Sequence, residues 1–187
     1  MCKKIIGFLS VLALVFCMVS TTYAYTPVST TPNTSWMVGI SGTYAYPVDG
    51  LKAISDGLGF KFSLWKSFTN NLLVRTDFDY FTMDTLDVIN GKAILLYFPF
   101  YPVAKVGVVN PYVSAGVGWG EMSSYSTKVS ADPKTLEMGF LYKWNEITWF
   151  YLSASRTYFG SDVIFGDKTT YSANLGLAFA FDFVADK

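Results

Sequence analysis

The sequence contains no histidine among its 187 residues, so the side chain most often used for acid–base catalysis and metal binding is missing. Cysteine occurs only as Cys2 and Cys17, and charged residues make up 15%, against about 25% in typical soluble domains. The 14 basic and 14 acidic side chains balance, which excludes the basic surface of a nucleic-acid-binding protein. We therefore expect neither an enzyme nor a site for a metal, a cofactor or nucleic acid.

The first 24 residues have the layout of a cleavable secretory signal. Lys3 and Lys4 precede an apolar run over residues 5–19, and small and polar residues follow up to Ala24. The run is shorter than the roughly 20 residues that a membrane-spanning helix needs. We expect cleavage after Ala24, which removes both cysteines and leaves 12 basic and 14 acidic side chains without any disulfide.

The rest of the chain alternates with the period of a β-strand. Residues 25–35 are rich in Pro, Ser, Thr and Asn and predict a flexible lead-in. From Trp36 onward no segment shows a helical period, whereas period-two alternation recurs, which predicts a β-barrel domain over 36–183 and a tail over 184–187. Eight strands are predicted, over 36–46, 58–68, 72–82, 92–101, 111–120, 135–144, 147–158 and 170–183.

The gaps between these predicted strands alternate in length. The gaps after even-numbered strands are mostly short and cover 69–71, 102–110 and 145–146. The gaps after odd-numbered strands are longer and cover 47–57, 83–91, 121–134 and 159–169. An even strand number, with tight turns at one end and long loops at the other, is typical of bacterial transmembrane barrels.

The alternation also assigns the two faces of the sheet. In the last predicted strand bulky apolar side chains share one face, and mainly Ser, Asn, Gly and Ala share the other. Small side chains cover a water-exposed exterior poorly but fit the narrow lumen of an eight-stranded barrel. We predict an all-β, eight-stranded antiparallel up-and-down transmembrane β-barrel, formed after removal of the signal peptide. The predicted lipid-facing residues are Phe60, Phe62, Val113, Val117, Leu175, Leu177, Phe179 and Phe181.

Most charged residues of the predicted strands fall on the small, inward face, away from lipid. The predicted polar network of the lumen comprises Lys61, Arg75, Asp77, Asp79, Glu137, Lys143 and Asp182. Aromatic side chains near strand ends predict girdles at the two membrane interfaces, with Trp36, Tyr44, Trp119 and Trp144 as members. The alternative is a water-soluble, lipocalin-like periplasmic binding barrel with its apolar face inward.

Other candidate chemistry has simpler explanations. Asp77 and Asp79 lie two residues apart on one face and could act as a carboxylate pair, but ion pairs with nearby cations explain them better. Gly116, Gly118 and Gly120 form a GxGxG pattern without the helix or lysine of a phosphate site, so a narrow lumen accounts for them. Two carboxylate pairs, Asp84 with Asp87 and Asp162 with Asp167, do not match a calcium-binding loop.

The segments NPYVSAGVGWG (110–120) and YSANLGLAFAFDF (171–183), together with the signal sequence, carry a family resemblance. The chain resembles the small outer-membrane β-barrel proteins of the OmpA, OmpX and OmpW type over nearly all of the mature sequence. The resemblance implies location in the outer membrane, contact with its lipid and assembly by the barrel assembly machinery. It also implies that Phe183 is the aromatic residue read as the assembly signal.

Two functions follow from these expectations. The first is a non-enzymatic membrane barrel that has a structural or surface-interaction role and binds an extracellular ligand or surface partner through its longer loops, 121–134 and 159–169. The second is an OmpW-like narrow channel for small or hydrophobic solutes. An enzyme of the outer-membrane lipase or acyltransferase kind would resemble proteins that use a catalytic histidine, which this chain lacks.

Overall fold

The computed structural model describes residues 36–49, 55–69, 71–99, 106–124, 127–145, 147–162 and 166–181. The predicted signal peptide, lead-in and tail, and with them Asp182 and Phe183, lie outside these ranges. No helix among the described residues is long and apolar enough to cross a membrane. The strands are β1 (Trp36–Asp49), β2 (Gly57–Thr69), β3 (Leu72–Met83), β4 (Leu86–Tyr97), β5 (Val109–Ser124), β6 (Thr127–Ala131), β7 (Lys134–Lys143), β8 (Thr148–Asp162) and β9 (Gly166–Phe181).

These strands close into an antiparallel barrel. Sequence neighbours pair with each other except β6 and β7, and β1 also pairs with β9. The order β4-β3-β2-β1-β9-β8-β7-β5 is closed by pairing between β4 and β5. β6 and β7 both pair with β5 and keep one register across Asp132 and Pro133, so they form a single barrel strand. Proline has no backbone N–H to donate to the ladder, which accounts for the interruption. The predicted eight-stranded up-and-down barrel is confirmed.

The register fixes the tilt of the strands. Paired residues followed from Gly120 of β5 through β4, β3, β2, β1, β9, β8 and β7 return to β5 at Asn110, ten residues away. With a rise of about 3.3 Å per residue and a strand spacing of about 4.8 Å, this displacement requires a tilt of about 40°. That tilt lies within the range found in transmembrane barrels.

The predicted difference in loop length between the two ends is wrong. We call the end where β1 begins and β9 ends the terminal end, and the opposite end the distal end. At the distal end β3 and β4 are joined by only Asp84 and Thr85, with Asp84 at a φ of 51°, which a tight hairpin requires. Much of the predicted loops 83–91, 121–134 and 159–169 is therefore strand, in β4, β5, β6, β8 and β9.

The side chains divide between interior and exterior as their parity predicts. On β2 the side chains of Lys61, Ser63 and Trp65 are buried inside, whereas those of Phe62 and Leu64 are exposed on the outer surface. The structure also resolves the two strands that have apolar residues on both faces. Ile94 and Leu96 of β4 and Trp149 and Tyr151 of β8 are buried, while Leu95 and Tyr97 of β4 and Leu152 of β8 are exposed.

Glycines allow close contact between neighbouring strands inside the barrel. A Cβ atom at Gly118 would overlap the carbonyl oxygen of Gly91 and lie 2.9 Å from Cα of Lys92. On the outer face of β1, by contrast, a Cβ atom at Gly42 would meet no atom within 4 Å. The GxGxG pattern that includes Gly118 thus lies where β5 approaches β4.

We expect Gly118→Ala to lower the free energy of unfolding by about 1–3 kcal/mol, because the added methyl group must displace strand backbone. Urea unfolding in detergent micelles measures this change. Gly42→Ala is the matched control and should leave the stability within about 0.5 kcal/mol of wild type. Equal stability of the two variants would show that the contact between β5 and β4 is looser than the structure indicates.

Candidate functional site

The inward face of β3 passes through three layers of the barrel interior. Leu73 comes first from the terminal end, then Arg75, Asp77 and Asp79, and then the apolar Phe81 and Met83. All six side chains are at most 4% exposed. The interior therefore contains a charged layer between two apolar ones.

Glu137 of β7 lies at the centre of the charged layer. Two nitrogens of Arg75 contact its carboxylate: Nη2 donates to Oε2 at 2.9 Å, and Nη1 lies 2.9 Å from Oε1. Tyr112 donates its hydroxyl to Oε1 at 2.7 Å, and Lys61 Nζ lies 3.7 Å from Oε2. One charge-assisted hydrogen bond from the guanidinium, a second close guanidinium contact and a hydroxyl donor together compensate the buried charge of Glu137.

The remaining charges extend this arrangement across β2, β3 and β4. Lys61 Nζ lies 3.5 Å from Asp77 Oδ2 and 3.9 Å from Asp79 Oδ1, and Lys92 forms an ion pair with Asp79. Arg75 Nε lies 2.8 Å from Asp77 Oδ1. We call Lys61, Arg75, Asp77, Asp79, Lys92 and Glu137 the charge cluster. Its three cations and three anions cancel, so the charge cluster has no net formal charge.

Apolar and aromatic side chains fill the interior on the terminal side of the charge cluster. The Trp65 and Tyr151 rings meet edge to face with centroids 5.4 Å apart, and Phe98 packs on Tyr112 at 5.6 Å. The Arg75 guanidinium lies 5.0 Å from the Trp65 ring, which joins this layer to the charge cluster. The terminal plug consists of Met37, Trp65, Leu73, Ile94, Leu96, Phe98, Tyr112, Leu141, Trp149, Tyr151 and Ala178.

A second apolar cluster fills the interior on the distal side. Its members are at most 6% exposed, and they face inward from β1, β3, β4, β5, β6 and β8. The distal plug consists of Ala45, Phe81, Met83, Leu86, Val88, Met122, Ala131 and Phe159. Apolar side chains are therefore packed on both sides of the charge cluster along the barrel axis.

The charge cluster contains five of the seven residues predicted for the lumen network, and it also contains Lys92. Lys61, Arg75, Asp77, Asp79 and Glu137 lie together as described. Lys143 is buried near the terminal end instead, with Nζ 5.3 Å from the Trp149 ring. Lys92 was missed because the faces of its strand could not be assigned, although a lone lysine in an apolar strand is itself a signal of an inward position. Asp77 and Asp79 each form ion pairs with cations of the charge cluster.

The outer surface carries the residues predicted to face lipid. The exposed fractions of Phe60, Phe62, Val113, Val117, Leu175 and Phe179 range from 46% to 67%, and Leu177 and Phe181 are partly exposed. On β1, Trp36 and Tyr46 lie ten residues apart on this face, with Val38 and Ile40 between them. At the tilt given above, ten residues span about 25 Å along the barrel axis, the height of the apolar band of a transmembrane barrel.

Aromatic side chains lie near both edges of this band. Trp36 and Trp144 belong to the terminal edge, and Tyr44 and Trp119 lie near the distal edge. Cations accompany the rings at both edges, with Lys66 Nζ 4.8 Å from the Trp36 ring and Arg156 6.0 Å from the Tyr171 ring.

Beyond the distal edge of the band, polarity reverses between the two faces. Phe81 and Met83 face inward, whereas Thr82 and Asp87 face outward and hydrogen-bond to each other at 2.9 Å. Apolar residues inside and polar residues outside are what a β-structure in water requires. The strands therefore continue past the apolar band at the distal end. On β5, Ser124 lies five residues beyond Trp119, about 12 Å farther along the axis.

No protein-family model matches the chain, and no curated protein matches it. Solved structures do. Neisserial surface protein A is 14% identical with a TM-score of 0.67, and the match covers 78% of this chain and 97% of that one. The N-terminal β-barrel domain of OprF from Pseudomonas aeruginosa is 18% identical with a TM-score of 0.58, covering 81% and 100%.

The outer membrane protein OprG from Pseudomonas aeruginosa is 11% identical with a TM-score of 0.56, covering 84% of this chain and 100% of that one. Identities this low establish a shared fold. The chain thus has the fold of small bacterial outer-membrane barrels.

Proposed function

We propose that the protein is a non-enzymatic β-barrel of the outer membrane, whose lumen is closed and whose distal end has a structural or surface-interaction role. The observation that carries the proposal is the layered interior: a charge cluster enclosed between two apolar plugs, inside a band of exposed apolar side chains. Closure of the sheet satisfies the strand backbone without an edge in the hydrocarbon, which suits a membrane location.

The distal end is proposed to face outward from the cell. An even number of strands places the start of β1 and the end of β9 at the same end. For an exported chain that inserts from the periplasm, that end is periplasmic. The protrusion of β3, β4, β5 and β6 beyond the apolar band supports the same orientation, because the extracellular side of such barrels is the longer one. Similar structures bear the names of a surface protein and an outer membrane protein.

The plugs argue against the narrow-channel alternative. A hydrated path along the axis must pass residues such as Trp65 and Trp149 at one end and Phe81 and Phe159 at the other, each at most 4% exposed. The exposed apolar band argues against the lipocalin-like alternative, because those barrels place their apolar face inside. If the lumen is closed to solutes, a ligand or partner can bind only to the outer surface of the barrel.

We expect the folded protein to show no discrete conductance steps in a planar lipid bilayer bathed in concentrated KCl. The reason is that ions would have to cross apolar layers from which water is excluded. Folding is checked on the same preparation by the shift in gel mobility on boiling, which a folded membrane barrel shows. Reproducible steps from heat-modifiable protein would contradict the closed lumen and favour the channel.

A further inference from the structure

A polar groove lies on the outer surface of the protruding distal end. Its volume is about 630 Å³, within the range of small-molecule sites, and it is lined by residues of β3, β4, β5, β6 and the turn between β3 and β4. Thr82, Asp87, Ser123 and Lys128 lie directly opposite one another on successive strands, so their side chains form one row across the sheet.

One carboxylate of the groove is held in place. Thr82 Oγ1 donates to Asp87 Oδ1 at 2.9 Å, and the Tyr80 hydroxyl donates to the same oxygen at 3.3 Å. Among the described residues the donors to Asp87 reach Oδ1 alone, so Oδ2 keeps its capacity to accept hydrogen bonds. A fixed acceptor reduces the entropy lost when a ligand binds.

The chemistry of the lining selects the class of ligand. Of the described residues, five hydroxyl side chains, two carboxylates and one lysine line the groove, and none of these eight is apolar. The lysine, Lys128, lies 2.9 Å from Glu121 Oε1, so its charge is already compensated. The carboxylates of Asp84 and Asp87 then leave the groove negative, which disfavours phosphate and sulfate. A ligand rich in hydroxyl groups, which both donate and accept hydrogen bonds, would complement the donors and acceptors that line the groove.

We propose that the groove binds a neutral or amino-substituted saccharide. The proposal rests on the outward orientation of the distal end proposed above. The groove lies just beyond the aromatic edge of the apolar band, since Ser123 is four residues past Trp119 on the same face of β5. That depth suits the sugar headgroup of a glycolipid as well as a free glycan, and the two share the same chemistry.

The test uses the mature protein folded in detergent micelles, with chitotetraose, its deacetylated amine form and dextran sulfate as probes in titration calorimetry. Phosphatidylcholine vesicles that contain a glucosyl lipid present the saccharide at a membrane surface, and vesicles without this lipid are their control. We expect Asp87→Asn to weaken saccharide binding by about tenfold or more, because a charged hydrogen-bond acceptor is lost. Asp132→Asn, at an exposed carboxylate outside the groove lining, is the matched control and should bind as wild type does.

Binding of soluble chitotetraose or its amine form would identify a free glycan as the ligand. Binding only to the vesicles that contain the glucosyl lipid would identify a lipid headgroup. Either result supports the proposal if the Asp87→Asn variant no longer binds that probe. Absence of saccharide binding in both forms, equal binding by Asp87→Asn, preference for dextran sulfate, or binding abolished by EDTA overturns it. Heat-modifiable, non-conducting protein without saccharide binding refutes the groove alone. Protein that is not heat-modifiable refutes the membrane barrel itself.

Discussion

Replacing Glu137 by glutamine is expected to lower the free energy of unfolding by about 3–5 kcal/mol, the cost of removing one partner from a buried ion pair. Glutamine keeps the shape of the side chain but leaves the charge cluster with three cations and two anions at sites that are at most 5% exposed. It also weakens the two contacts with Arg75 and the hydrogen bond from Tyr112. Urea unfolding in micelles, followed by gel mobility and tryptophan fluorescence, measures the change.

The chain offers a matched control at Glu121. This glutamate also has a lysine partner at 2.9 Å, but the pair is exposed, with side-chain exposures of 41% for Glu121 and 74% for Lys128. Glu121→Gln should therefore cost less than about 1 kcal/mol. A second substitution, Lys61→Met, restores neutrality to the charge cluster of Glu137→Gln, so the double variant should lose less stability than the sum of the singles. Additive losses would show that the cluster is not coupled.

The sequence predicted the fold well because a barrel in a membrane makes unusually strict demands on alternation. An apolar outer surface and a narrow lumen assign every second side chain to a different environment, as β2 illustrates with Phe62 outside and Lys61 inside. The same contrast places Arg75, Asp77 and Glu137 in the interior. Period-two alternation therefore carried information on both topology and facing.

The contrast fails where the two environments become alike. In β4, Leu95 faces outward and Ile94 packs into the terminal plug, so both faces are apolar and the alternation does not assign them. Beyond the apolar band, outward positions such as Asp87 are polar, and they were taken for loop residues although they belong to strands. The plugs escaped prediction because their members come from six or more strands that meet only after the barrel closes.

The error at positions such as Asp87 has its cause at the distal edge of the apolar band. Inside the band the apolar face points outward, and at the distal end it points inward, so one strand changes pattern along its length. On β3 the change falls between Phe78, which is exposed at 50%, and Phe81, which is exposed at 4%. A charge on the outer surface should therefore have an effect that depends on its depth along the strand.

We expect Leu175→Arg to lower the free energy of unfolding of the vesicle-inserted protein by about 2–4 kcal/mol, because the guanidinium would lie near the middle of the hydrocarbon. Leu175 is 67% exposed and pairs with Gly42, near the midpoint between Trp36 and Tyr46 on β1. Urea titration of the vesicle-inserted protein measures the loss. Arginine at this depth can reach an interface only by thinning the bilayer or bending its side chain toward it.

Leu58 provides the matched control, since it is also a leucine on the outer face and is 73% exposed. It lies opposite Tyr44 and Thr82, at the distal edge of the band, where an arginine reaches water easily. Leu58→Arg should cost only about 0–1 kcal/mol. If the barrel were surrounded by water, both substitutions would change its stability by less than about 0.5 kcal/mol. A large loss at Leu175 with a small one at Leu58 therefore identifies the solvent of the outer surface as lipid, and equal small losses would refute the membrane location.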